Sequence, residues 1–166
     1  MKKNIILIGM PSSGKTTLAK ILSKKRSIPY FDSDEEIIKR THMSIPDIFQ
    51  IYQEAGFRKI EQEVLITLSA KQGCIISTGG GAVNNETAMC ELKKNGIILF
   101  IDRHPSLLQT KDPNRPLSFS SQAIMKLYTN RIELYRKYAD EIIPNNGRIE
   151  EALQALGGII DDYHNY

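Results

Sequence analysis

Residues Gly9-Met10-Pro11-Ser12-Ser13-Gly14-Lys15-Thr16 fit the pattern G-x-x-x-x-G-K-[ST], whose chemistry is the capture of a polyphosphate. The glycines let successive backbone N–H groups turn inward as an anion nest, and a helix starting there adds the positive end of its dipole. Lys15 supplies a point charge for the β and γ phosphates, and Thr16 offers a hydroxyl to Mg²⁺. Thr17 extends the nucleotide-binding run to 9–17. Such a loop alone leaves GTPases, ATPases and small-molecule kinases open. No Asn-Lys-x-Asp segment of the kind that reads guanine is present, and 166 residues are too few for the machinery of motor ATPases. A small kinase further needs a site for its acceptor hydroxyl, charge neutralisation for the transferred group, and a lid that excludes water.

The loop works only between a strand and a helix, and both are legible. Residues 4–8 are an apolar, β-branched run, and 15–25 place Leu18, Ala19 and Leu22 at helical spacing. Strand and helix signals then alternate to the end of the chain, which predicts a parallel sheet covered by helices. Short strands are expected at 28–31, 74–77, 97–101 and 141–143. Helices are expected at 34–40, 44–55 with Ser44 as N-cap and Pro46 in the first turn, and 57–71 beyond Gly56. Further helices are expected from Asn84 or Asn85 to Lys94, over 123–138, and over 148–156, with a frayed tail from Asp161. The pattern fails over 102–122, where Pro105, Pro113 and Pro116 stand among polar residues; a loop that long in a compact domain is usually functional or disordered.

Composition narrows the classes. The chain is ordinary globular material, 41% hydrophobic and 25% charged, at the size of one domain. Its net charge of +3 is small and its cations are scattered, so no nucleic-acid partner is expected. The densest run, Lys24-Lys25-Arg26, reads as the end of a helix. Cys74 and Cys90 are too few and too far apart for a zinc or redox motif and fit a reduced, cytoplasmic setting. Met1-Lys2-Lys3 before an apolar run superficially resembles a secretion signal. The run is short and leads into the glycine loop, so it reads as a buried strand. No stretch approaches the roughly 20 apolar residues of a membrane span.

Five further segments follow the loop in order. They are Asp32-Ser33-Asp34 at the end of the second strand, Gly56-Phe57-Arg58-Lys59-Ile60-Glu61 opening a helix, and Ser77-Thr78-Gly79-Gly80-Gly81 after the third strand. Arg115-Pro116-Leu117 lies in the irregular segment, and Arg131 is followed by Leu134-Tyr135. In this order and spacing the sequence resembles the shikimate kinase family, from about Ile5 to Leu156. The resemblance implies an α/β fold: a three-layer P-loop sandwich with a five-stranded parallel sheet of order 2-3-1-4-5, substrate-binding helices at about 33–62, and a mobile lid at about 102–122. It implies a single domain over 1–166 that transfers the γ-phosphoryl group of ATP to the 3-hydroxyl of shikimate, on the route to chorismate and the aromatic amino acids. The implied cofactor is Mg²⁺, and the expected form is a monomer without nucleic-acid or membrane partners.

Residue chemistry suits such an acceptor, a small hydroxyl-rich carboxylate. Arg58 and Arg131 offer planar forks for a carboxylate, and the backbone of Gly79, Gly80 and Gly81 can approach a ligand closely. Asp34 can accept from ring hydroxyls, as a base or as an orienting group, and can also cap the following helix. Asp32 is assigned with Thr16 to the hydration shell of Mg²⁺, and Lys15, Asp34 and Arg115 form the expected catalytic set. One departure concerns adenine. Family members commonly carry an Arg about seven residues before the Arg-Pro pair, where this chain reads Ser106-Leu107-Leu108-Gln109. Arg148 sits where the family has a second adenine-packing residue, and is either that contact or a solvated first-turn arginine. A gluconate-type kinase, or a nucleotide and shikimate sensor without turnover, is the alternative reading.

Overall fold

The computed structural model describes residues 2–108 and 120–164. Five strands, β1 (Asn4–Ile8), β2 (Tyr30–Asp32), β3 (Ile75–Ser77), β4 (Gly96–Asp102) and β5 (Glu141–Pro144), form one sheet of order β2-β3-β1-β4-β5. Every pairing is parallel, with Ile6 in register with Ile76 on one side and Ile98 on the other. The helices are α1 (Lys15–Arg26), α2 (Ser33–Thr41), α3 (Ile45–Ser69), α4 (Glu86–Asn95), α5 (Ser121–Tyr138) and α6 (Ile149–His164).

Alternation along the strands explains the three layers. In β1, Ile6 and Ile8 join Ile98 and Phe100 of β4 in a core with α3, α4 and α5, whereas Ile5, Leu7, Leu99 and Ile101 face the opposite way onto α1 and α6. Both faces of the central strands are therefore apolar, which is why β1 and β4 read as unbroken hydrophobic runs. Carboxyl ends of parallel strands converge on one edge, and there the loop after β1 meets the ends of β2 and β3.

Local signals place most boundaries within three residues of expectation. Ser44 caps α3 through the Asp47 amide with Pro46 in the first turn, and Asn85 caps α4 through the Ala88 amide. Lys24, Lys25 and Arg26 do end α1. Two expectations shift. The two helices expected at 44–55 and 57–71 adjoin within α3, and the break between them falls at Gln53 (φ 60°, ψ −178°), a non-helical residue, and not at Gly56. Gly56 serves close packing instead, since a Cβ there would lie 2.5 Å from the Tyr52 Cβ. The tail does not fray at Asp161, because α6 runs to His164 and Asp161 is paired with Arg26 of α1.

The segment 102–122 is described only at its ends. Asp102 finishes β4, Pro105–Leu107 makes a short 3-10 turn, and Ser120 caps α5 through the Ala123 amide. Residues 109–119 lie outside the described residues. No helix among those described is long and apolar enough to cross a membrane.

Candidate active site

The loop 9–16 delivers the start of α1 without a side-chain cap. Gly14 occupies the N-cap position at φ 96°, and the first turn carries no acidic residue. The positive end of the helix dipole thus faces the loop with no side-chain cap over it, a setting that suits an anion. Gly14 is required twice over: its φ suits glycine, and a Cβ would lie 2.6 Å from Asn145 Nδ2. Lys15 is only 7% exposed, and its Nζ donates to the carbonyls of Gly9 and Met10, each at 2.7 Å, and to Ser13 Oγ at 3.3 Å. The ammonium is therefore held against the loop it serves. Met10 and Ser13 are buried, while Thr17 faces outward.

Asp32 ends β2 and divides its two oxygens. Oδ1 accepts from the Asp34 and Glu35 amides at 2.9 and 3.2 Å, so Asp32, and not Asp34, caps α2. Oδ2 accepts from Thr16 Oγ1 at 2.9 Å and from the Tyr30 hydroxyl at 3.1 Å. Ser77 Oγ lies 3.5 Å from Thr16 Oγ1. The donor set is all oxygen with a single carboxylate, which fits Mg²⁺, an ion that keeps several waters and takes one or two protein ligands beside its phosphates. Among the described residues no group of three or more His, Cys, Asp or Glu side chains is placed to cage a metal by itself.

With the capping duty taken by Asp32, Asp34 in the first turn of α2 turns to the glycine turn after β3. A Cβ at Gly79 would lie 3.1 Å from Asp34 Oδ1 and 3.2 Å from Glu61 Oε2. The Gly79 amide donates to Ser33 Oγ at 2.9 Å, tying this turn to α2. Arg58 projects from α3 over Gly81, where any Cβ would overlap its guanidinium. Its Nη1 donates to Glu61 Oε1 and Oε2 at 3.0 and 3.1 Å, and Nη2 reaches Glu54 Oε1 at 3.4 Å. The Phe57 ring lies below, its centroid 5.2 Å from Arg58 Cζ. Arg131 enters from α5 and is 4% exposed.

Glu61, 1% exposed, is the shared anion of this cluster. Burial pushes its carboxyl above the ordinary value, against the pull of Arg58 and Arg131. Arg58 pairs with both Glu61 and the exposed Glu54, and Arg131 brings a second guanidinium toward the buried carboxylate, so two planar forks gather here that could hold an anionic ligand. Its position three residues after Arg58 was a usable sequence signal, because i and i+3 share a helix face.

Lys15, Thr16, Asp32, Asp34, Arg58, Gly79, Gly80, Gly81 and Arg131 therefore share one sheet edge. Arg115 lies outside the described residues. Arg148 precedes α6 with its side chain 80% exposed, 3.8 Å from Glu150, in the loop that also carries Asn145. Asn145 had no sequence signal: its Nδ2 donates to the Ser13 carbonyl at 2.8 Å across 132 residues, bracing the phosphate loop from β5.

Comparison with known proteins gives this architecture a family. The shikimate kinase family model matches residues 11–158. The shikimate kinase of Thiobacillus denitrificans is 37% identical over 164 residues, covering 95% of this chain and 86% of that protein. That of Aquifex aeolicus is 44% identical over 156 residues, covering 92% of each. Among solved structures, shikimate kinase from Acinetobacter baumannii in complex with shikimate superposes with a TM-score of 0.91 at 32% identity, over 98% of this chain and 95% of that one.

Proposed function

The chain belongs to the shikimate kinase family, and on that premise we propose how its residues divide the transfer of the ATP γ-phosphoryl group to the 3-hydroxyl of shikimate. One observation carries the assignment. The phosphate loop and the two arginines gathered by the Gly79–Gly81 backbone and Asp34 lie at the same end of the sheet, so donor phosphate and acceptor hydroxyl can be held side by side.

Residues 9–17 bind the polyphosphate through backbone N–H groups, and Lys15 moves its ammonium from the loop carbonyls onto the β and γ phosphates. Thr16 and Asp32 would hold Mg²⁺, which when bound neutralises charge on those phosphates. Arg58 and Arg131 clamp the shikimate carboxylate, with Glu61 fixing the rotamer of Arg58. Asp34 accepts from the ring hydroxyls and orients the attacking one. Bond making and breaking then proceed in line, with positioning and electrostatics supplying most of the rate. Arg115 is assigned to the γ-phosphate and Arg148 to the adenine face, both on the family resemblance. The free thiols of Cys74 and Cys90 suit a reduced, cytoplasmic setting.

A coupled ADP-release assay tests the reading. Shikimate should stimulate turnover far above gluconate or a nucleoside monophosphate. Equal stimulation by gluconate would make the chain a sugar-acid kinase, and calorimetric binding of ATP and shikimate without ADP release would make it a sensor.

A further inference from the structure

Tyr135 follows Arg131 by one helical turn, and its hydroxyl points away from the solvent into the glycine turn. The side chain is fully buried, and its ring stacks on Phe100 of β4 at a centroid distance of 4.9 Å and an interplanar angle of 16°. The hydroxyl donates to the Gly80 carbonyl. Burial pushes the phenol up to about 12, partly offset by the neighbouring Arg131 cation, so the group remains a donor at physiological pH.

Gly80 is held from two directions. A Cβ there would lie 2.6 Å from Pro11 Cδ, so its backbone rests against the phosphate loop, while its carbonyl is drawn to α5. In a trans peptide the carbonyl of Gly80 and the N–H of Gly81 point in opposite directions. Fixing the carbonyl toward α5 therefore aims the Gly81 N–H away from Tyr135, and the Arg58 guanidinium packs closely against the same glycine. Among the described residues neither the Gly80 nor the Gly81 N–H has a protein acceptor. A peptide between glycines has few internal restraints, and without an outside partner it would sample both orientations.

We infer that Tyr135 is a positioning residue for the acceptor: its hydrogen bond to Gly80 locks the Gly80–Gly81 peptide so that the Gly81 N–H faces the shikimate pocket at a fixed distance from the phosphate loop. The inference rests on the proposed shikimate site. It assigns to a residue that never touches substrate a share of acceptor affinity that nucleotide binding does not need.

The test is Tyr135→Phe, which keeps the ring and its stacking and removes the hydroxyl, with its bond to Gly80 and its contact with Arg131; the Gly80 and Gly81 amide signals separate the two. Shikimate KM, and the shikimate Kd by calorimetry, should rise roughly five- to tenfold, with ATP KM within about twofold of wild type. Amide ¹H–¹⁵N signals of Gly80 and Gly81 should shift or broaden in the free variant. Phe100→Leu is the control for packing: it should lower Tm while shikimate Kd stays near wild type. Unchanged shikimate affinity in Tyr135→Phe would overturn the inference. So would parallel losses of shikimate and ATP affinity that track Tm in both variants. If Tyr135→Phe does not fold, the decision passes to Phe100→Leu and to the wild-type Tyr135 hydroxyl proton. Shikimate, but not ADP, should slow exchange of that proton, and an indifferent proton would overturn the inference. Failure of wild type to bind shikimate is a separate outcome and would strike the functional assignment itself.

Discussion

The two ends of the site are built by different means. The phosphate end is backbone: an uncapped helix start, a glycine at φ 96° and a lysine folded onto the carbonyls beside it, all within eight consecutive residues. The proposed acceptor end is side chain: Asp34 from α2, Arg58 and Glu61 from α3, and Arg131 from α5, gathered around a glycine turn after β3. Polyphosphate is the same in every nucleotide, so a rigid local nest suffices for it. A polyhydroxy carboxylate must be distinguished from its neighbours, and that takes separately placed forks and acceptors.

Removing a guanidinium from the acceptor end gives the largest expected effect. Arg131→Ala or Arg58→Ala should cost about 2–5 kcal/mol in kcat/KM for shikimate, with the fold and ATP binding retained, because a desolvated charge pair loses one member. Steady-state kinetics with each substrate varied would check this. If both variants keep wild-type shikimate kinetics, the carboxylate is held elsewhere and the division between the ends is wrong.

Gly14→Ala attacks the other end through the backbone. A side chain at φ 96° is strained by about 1–3 kcal/mol, and its Cβ would also press on Asn145, whose bond to Ser13 braces the loop. Nucleotide affinity should fall and shikimate affinity should not, as calorimetry with each ligand would show. An equal loss of both would mean that the ends are mechanically one unit.

The smallest effect concerns the anion at the acceptor end. Burial raises the Glu61 carboxyl, so between the ordinary Glu value and its raised native value the folded chain binds more protons than the unfolded one. Stability therefore falls as pH rises through that window, and the contribution of Glu61 is most favourable below it. Glu61→Gln removes this component, and its stability should depend less steeply on pH over the same interval in denaturant titrations. An unchanged slope would mean that Arg58 and Arg131 outweigh burial and that Glu61 titrates as an ordinary carboxylate.

Glycine, lysine and helix-start residues at fixed spacing made the phosphate loop legible, because its backbone angles and donors are set by near neighbours. The strand and helix alternation also forecast a parallel sheet, since unbroken runs such as Ile5-Ile6-Leu7-Ile8 are apolar on both faces. The strand order, by contrast, came from the resemblance of Asp32-Ser33-Asp34 and the later motifs to one family. No local signal says which strands become neighbours.

Sequence by itself determined the strands and main helices, the Ser44 and Asn85 caps, the phosphate loop and the residue types of the proposed acceptor pocket. Tertiary structure decided which of two aspartates caps α2, that Gln53 carries the kink and Gly56 the close packing, and that Glu61 meets Arg58, Tyr135 meets Gly80 and Asn145 meets Ser13. The physical reason is range. A cap or a loop angle is fixed by atoms a few residues away. The duty of a buried polar side chain is fixed by whichever unpaired group the packed chain brings against it, and Tyr135 reaches Gly80 across 55 residues and Asn145 reaches Ser13 across 132.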